Sequence, residues 1–585
     1  MRLTTLNANT KSRTMHRAFR GYNHRLVIND TEFFDMKNMT GDYYPILSPR
    51  RRRLHIANYS GNTNGVFAKT KLLWVKGTSL FYNAQLVGTV ADSPKQFVSM
   101  GALVLIFPDK KVFNTANPTG GLTNMETSFS STSGSDVTYT LTRQDGTAYN
   151  NPTVSPSAPE NPADGALWVD TSGSPHVLKV YSAYSETWTQ VFTTYIKISY
   201  ANIGQSFNKG DGVTISGSTI SDLNGTMVIQ DKGNDYIVVI GMIDQTTTQS
   251  TALTVSRSVP SMDFLTEYQN RVWGCSSANH EVYCCKLGDP YNWNVYDGLS
   301  TDSYAATIGS DGDFTGAVTY GNYVLFFKAD KVHYIQGDRP SNFVIGEKAL
   351  RGVEKGSEKS LIIVDEILYY KSPEGVVAYT GSYPDNLYEP FGDIRYKNAV
   401  GGGTRSKYYI SMQREDDSSW HTFCYDTKKG LWYKEDDLHV TYFAAWNNEL
   451  FYMDSDNNFG SIFGTTGNDS SIIVQNQTEM EGPVDWYVET GNIGLDLPDE
   501  KTVSRILIRM SVDTDTEVSV LVQYDSSGIW TGARTVHTNS LNSFTIPIIP
   551  ARCDHMKIRI QGTGDCKIYS ISKEIENGSE LHGNL

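Results

Sequence analysis

The residues best suited to chemistry are acidic clusters, a basic run and two tryptophans. Asp311-Gly312-Asp313, Asp436-Asp437 and Asp454-Ser455-Asp456 place carboxylates close together, as glycosidic chemistry needs. Each cluster falls between strand-like runs, where Asp, Asn and Gly are the ordinary turn formers. The segment Asp454–Gly460, DSDNNFG, has the look of a calcium loop, but Phe459 stands where that loop needs glycine and no bidentate Glu follows. Asp525–Trp530, DSSGIW, resembles the turn of sialidase blades; it occurs once and predicts a plain hairpin. No phosphate loop, H-E-x-x-H or G-x-S-x-G is present. The 11 histidines are scattered, and neither His333 nor His421 has a neighbour at ligand spacing. The 6 cysteines form no C-x-x-C pair and predict buried free thiols. The expectation is a protein without catalytic, metal-binding or cofactor-binding residues, and not an enzyme.

Two candidate binding features remain. Arg50, Arg51, Arg52 and Arg53 form a run suited to a neighbouring subunit or adaptor, and no aromatic stacking series accompanies it as nucleic-acid binding would require. Trp168 in GALWVDTSG and Trp188 in SETW are candidates for stacking on a sugar ring, against the alternative of core packing. Charge is uneven: residues 1–60 carry eleven Lys or Arg against four Asp or Glu, which leaves −21 of the net −14 on the other 525 residues. A basic arm thus precedes an acidic body.

The elements that must position these groups are strands. With 50 Gly, 35 Tyr, 23 Phe and 19% charged residues, the 585-residue chain has the composition of an aromatic-rich, turn-rich fold. No stretch reaches the roughly 18 apolar residues of a membrane-spanning helix, and no apolar core follows the basic start; both predict a soluble chain without a secretion signal. The hairpin NYVLFFKADKVHYIQG from Asn322 recurs, and the points Leu325, Leu368, Tyr409 and Phe451 are separated by 43, 41 and 42 residues. A period near 40–45 residues of short strands is that of a β-propeller blade. The expected fold is all-β: a β-propeller of about seven blades over residues 61–115 and 258–465, preceded by the arm at 1–60. An inserted β module or modules fills 116–257, where the period breaks. A C-terminal β-sandwich follows at 466–585, where runs such as RILIRMSV and HMKIRIQG alternate apolar and polar residues.

Four segments carry a family resemblance: EFFDMKNMTGDYYPILSPRRRR from Glu32, NRVWGCSSANHEVYCCKLGDPYNW from Asn270, GSDGDFTGAV from Gly309 and YDTKKGLWYKED from Tyr425. Their order along the chain resembles tail-hub or nozzle proteins of tailed bacteriophages, including the packaged-DNA stabilisation proteins of short-tailed phages. The resemblance implies a virion tail component assembled in the host cytoplasm: a homo-oligomer, as a hexameric ring, below portal and adaptor. Double-stranded DNA would pass through its channel without sequence-specific binding, which an acidic lining would assist by repelling phosphates. The alternative is a carbohydrate-binding receptor-recognition propeller of a virion tail or cell surface.

Overall fold

A computed structural model describes residues 11–496, 500–513, 516–536, 540–547 and 551–577. The first ten residues of the predicted arm and the end of the predicted strand run SFTIPIIP lie outside the described residues. Among the described residues the fold is all-β, with strands and six short 3-10 turns. No described helix is long and apolar enough to cross a membrane. The chain divides into two compact units, one of residues 1–94, 327–332 and 347–585, the other of 95–326 and 333–346.

The first unit contains four-stranded antiparallel meanders at 63–89, 362–386 and 396–436. A further sheet takes Val440–Trp446, Glu449–Asp454 and Asn458–Ser461, and is extended by Leu54–Asn58 and then Glu479–Met480. The repeat has a physical meaning here: Leu368, Tyr409 and Phe451 are all buried and all lie on the second strand of their sheets. Such a central strand is covered on both faces and so becomes a continuous apolar run, as in Ile367–Lys371.

The same unit holds two five-stranded sheets built from both ends of the chain. One joins Lys11–His16, Cys566–Asn577, Lys501–Val512 and Asn542–Ile546, with Arg552–Cys553 beside Lys501–Val512. The other runs Phe33–Lys37, Asp485–Thr490, Met556–Thr563, Glu517–Tyr524, Thr531–Val536. Their alternation sends Ile506, Ile508 and Met510 from one sheet, and Val518, Val520 and Ile560 from the other, into a single apolar cluster. Phe19, Phe33, Met36 and Leu47 enter that cluster too. The described part of residues 1–60 is therefore no separate arm, because its apolar side chains are part of this core. The sheets also shift two expected boundaries: Leu54–Asn58 belongs with 440–461, and Glu479–Met480 pairs with it.

The second unit has meanders at 96–124 and 264–307 and most of a third at 316–349, where Leu325 and Phe326 are buried. The insertion is three sheets. Two share a core of residues such as Ile196, Ile198, Val213, Ile237 and Val255. The third comprises Thr153–Ser155, Leu167–Asp170, Val177–Ser182 and Thr187–Gln190. Because Leu122–Asn124 completes the 96–124 meander, the insertion starts after residue 124, not at 116.

The insertion is latched to the loop after Glu281–Cys284. Arg257 pairs with the buried Asp211 at 2.5 Å, and Asn292 donates to Asp211 at 3.0 Å while accepting from the Gly212 amide at 2.8 Å. A Cβ at Gly212 would lie 2.5 Å from the Asn294 carbonyl oxygen, so the backbones meet where only glycine fits.

Candidate functional site

The arginine run lies where the hairpin of Met39–Thr40 and Ser48–Pro49 passes into Leu54–Asn58. Asn38, in a left-handed conformation with φ 55°, starts the hairpin, and its carbonyl accepts from the Arg50 amide at 2.8 Å. The run then divides. Arg50 and Arg53 are each only 5% exposed, whereas Arg51 and Arg52 point to solvent.

The two buried guanidinium groups are held by three carboxylates. Arg50 grips Glu481 with both terminal nitrogens, at 2.6 and 2.8 Å, and donates through Nε to Asn38 at 2.7 Å. Arg53 donates to Asp436 at 2.6 Å and to Glu435 at 2.8 Å. Backbone bonds reinforce the join: the Arg53 amide donates to the Glu481 carboxylate and the Glu481 amide to the Arg53 carbonyl, both at 2.9 Å. Burial opposes ionisation of Asp436, yet Arg53 and Arg50 overcome it and hold that carboxyl below its usual range. Glu481 is likewise held low against its burial by the bonds from Arg50. Planar, bidentate pairs of this kind fix geometry as well as charge. Arg50 and Arg53 thus bind the chain to itself, and the expectation that all four arginines face a neighbour is corrected for these two.

Arg51 and Arg52 border an open cleft of about 560 Å³ with Tyr43, Asp513, Asp565 and Lys567. The nearest carboxylate oxygen to Arg51 is that of Asp42, at 4.0 Å, and Asp42 already pairs with Lys407 at 2.5 Å. The Lys567 ammonium lies 4.3 Å from the centre of the Tyr43 ring.

A second polar cluster joins Phe33–Lys37 to the 396–436 sheet. Asp35 accepts from Tyr487 at 2.6 Å and from Lys434 at 3.4 Å, and Lys37 pairs with Asp437 at 3.1 Å. His421 shares a hydrogen bond with Tyr396 at 3.0 Å and faces Asp437 at 3.6 Å. Burial first, then Lys434, push the imidazole down to about 4.

Trp168 does not offer a stacking face. It is 6% exposed, its indole donates to the Ser155 carbonyl at 2.9 Å, and Lys179 caps the ring at 4.7 Å. Trp188 is half-buried, edge-on to Trp168 at 5.4 Å and beside the half-buried Tyr181 at 5.3 Å. Asp454 and Asp525 serve turns: Asp454 accepts from the amides of Asp456 and Asn458, and Asp525 from those of Asp554 and His555. His333 bonds Ser310 at 2.8 Å, and all six cysteines are buried free thiols. Among the described residues, no group of three or more His, Cys, Asp or Glu could hold a metal ion.

No protein-family model and no curated protein matches the chain. Solved structures similar to it include apo AztD from Citrobacter koseri, at 8% identity over 66% of this chain and 94% of that one, TM-score 0.26. An exo-β-1,3-galactanase from Phanerochaete chrysosporium matches at 9% identity over 53% and 94%, TM-score 0.21. A glycoside hydrolase family 43 arabinoxylan arabinofuranohydrolase from Bacillus subtilis matches at 8% over 53% and 94%, TM-score 0.18. Two of these three are glycoside hydrolases, and the expectation that the chain is not an enzyme is withdrawn. Carboxylate pairs in such enzymes come from separate strands, so the absence of a sequence motif does not exclude them. At these TM-scores no activity or substrate carries over to this chain.

Proposed function

We propose that the chain is a structural subunit of a bacteriophage tail, of the hub or nozzle kind, and forms part of the exit channel for packaged DNA. In this reading the four-stranded sheets at 63–89, 96–124, 264–307, 316–349, 362–386, 396–436 and 440–461, the last extended by Leu54–Asn58, are blades of a propeller of about seven. The two five-stranded sheets form the terminal sandwich. The observation that carries the proposal is the weaving of residues 11–58 into sheets from the other end of the chain, sealed by the Arg50 and Arg53 ion pairs. A subunit tied at both ends suits a load-bearing part. The −21 balance outside the first 60 residues suits a wall past which duplex DNA slides. In the virion such subunits close a ring of about six below portal and adaptor, an interface that must be heterologous. Light scattering with negative-stain imaging tests this: a ring with an axial hole is the expected result, and a compact monomer at all concentrations opposes it.

A second reading, carbohydrate recognition at a virion tail or cell surface, is favoured by the half-exposed Trp188 and Tyr181 rings, a sugar-stacking platform. A glycan array would show specific binding that Trp188→Ala removes; an array without signal opposes it.

A further inference from the structure

The turn after Glu517–Tyr524 brings a serine, a histidine and an aspartate into one line. The Ser526 hydroxyl meets Nε2 of His555 at 2.7 Å, and Nδ1 of the same ring meets the Asp554 carboxylate at 2.8 Å. A carboxylate only accepts, so Nδ1 carries the ring proton and Nε2 is left to accept from the serine. Asp554 is held below its usual range, first by this bond from His555. These are the contacts by which an imidazole draws a proton from a hydroxyl while a carboxylate steadies the ring.

The backbone builds the arrangement from residues 29 apart in the chain. Asp525 and Ser526 both take left-handed conformations, with φ 49° and 51°, and the Ser527 amide donates to the Tyr524 carbonyl at 3.0 Å. A tight turn of this kind favours glycine at its second position. A serine is held there against that preference, as strained residues are at functional sites. The Asp525 carboxylate accepts from the amides of Asp554 and His555 at 2.8 and 3.2 Å, and the Asp525 amide donates to the His555 carbonyl at 3.0 Å. The turn that carries the serine is thus tied to the residues that carry the base. A bend at Asp554, just before Met556–Thr563, breaks the alternation of an extended strand and lets consecutive side chains meet.

The serine is open to approach. Ser526 and Gly528 are exposed, a Cβ at Gly528 would meet nothing within 4 Å, and the His555 side chain is 16% exposed. Among the described residues the amides of Ser526 and Gly528 have no acceptor, which leaves donors for a developing oxyanion. An open nucleophile tolerates a bulky alcohol, but it gives a long acyl chain nowhere to bury. The substrate that fits is a short-chain acyl ester of a larger alcohol.

We propose that Ser526, His555 and Asp554 form a hydrolytic site for short-chain carboxylic esters, with Ser526 as nucleophile, His555 as general base and acid, and Asp554 positioning His555. Ser526 Oγ bonds to the ester carbonyl carbon as its proton passes to Nε2. The carbon–oxygen bond to the alcohol then breaks, and the alcohol leaves with that proton. Water repeats the exchange on the acyl-serine, releasing the acid and restoring the hydroxyl. Ester and water become acid and alcohol, with no oxidant or reductant. The site does not depend on the ring reading above.

The experiment uses the full chain, a fluorophosphonate probe that labels activated serines, and para-nitrophenyl acetate as the ester. The expected result is a label mapped to Ser526 by mass spectrometry, with turnover of the ester beyond the first equivalent. Ser526→Ala and His555→Gln should each lower kcat/KM by about 100-fold or more, while Ser527→Ala, one residue on, keeps the rate. Asp554→Asn should lower kcat by about tenfold with KM unchanged, and Asp554→Glu should restore part of it. Ser526 and Asp554 are exposed, and thermal melting checks that all the variants fold. Wild type that takes no label at Ser526, or takes it without turning over the ester, overturns the proposal, as does hydrolysis that survives in Ser526→Ala. Any of these leaves the three residues as a hydrogen-bonded turn.

Discussion

Arg50 and Glu481 stand 431 residues apart in the chain and meet through two parallel hydrogen bonds of 2.6 and 2.8 Å. Arg53, three residues on, divides its two terminal nitrogens between Glu435 and Asp436. The N-terminal segment is thereby pinned to the 396–436 sheet and to the residues after Met480.

Arg53→Met tests the clamp. It leaves Glu435, whose side chain is 1% exposed, and Asp436 without their main counter-charge. Removing one partner of a buried pair costs about 3–5 kcal/mol. Urea denaturation should show a loss of that order; a loss under 1 kcal/mol, on the scale of an exposed pair, would mean the cluster is effectively hydrated.

Acid should weaken the fold in two stages. His421 is held neutral, down to about 4, while an unfolded imidazole takes its proton near 6.5. As pH falls from about 6.5 towards 4 the unfolded state gains the proton first, so stability falls across that window. Asp436 and Glu481, depressed in the folded state, add a second loss below about pH 4. Replacing His421 with Gln should lessen the first stage, which the similarly lowered His24 and His439 share, and leave the second in place when melting temperature is followed against pH; an unchanged slope in the first would place its origin elsewhere.

Phe326→Asp places a carboxylate at a position with no solvent exposure, packed with Phe314, Val324 and Ile335. The cost of several kcal/mol exceeds what most folds spare. Insoluble or non-cooperatively melting protein is expected, and native-like melting would contradict the burial of this strand.

Gly212→Ala should loosen the latch between the insertion and the 286–295 loop. The new methyl meets backbone atoms 2.5 and 2.8 Å away, which must shift at a cost of about 1–3 kcal/mol. Hydrogen exchange should rise at the amides around Gly212 and Asn292, while the 396–436 sheet keeps its protection.

The repeating sheets were legible because a strand covered on both faces leaves an apolar run that survives in any alignment, as Leu368, Tyr409 and Phe451 do. The role of residues 11–58 was not. Lys11 pairs with Glu576, and strands whose partners lie hundreds of residues away leave no local hairpin signal. Four identical arginines likewise give no hint that two turn inward, since Glu435, Asp436 and Glu481 decide it. Trp168 is similar: the Ser155 carbonyl and Lys179, which occupy its indole, are set by strand pairing and not by neighbours in sequence.

The pairing of Lys11–His16 with Cys566–Asn577 also sets a timetable. On the ribosome the first of these strands emerges long before its partner exists, so its sheet cannot close until almost the whole chain has been made. Contacts of such long range are slow to form. The meanders can fold as they appear, but the sheets that join the two ends must form last, and a chain cut short before residue 566 would leave an unpaired strand edge exposed.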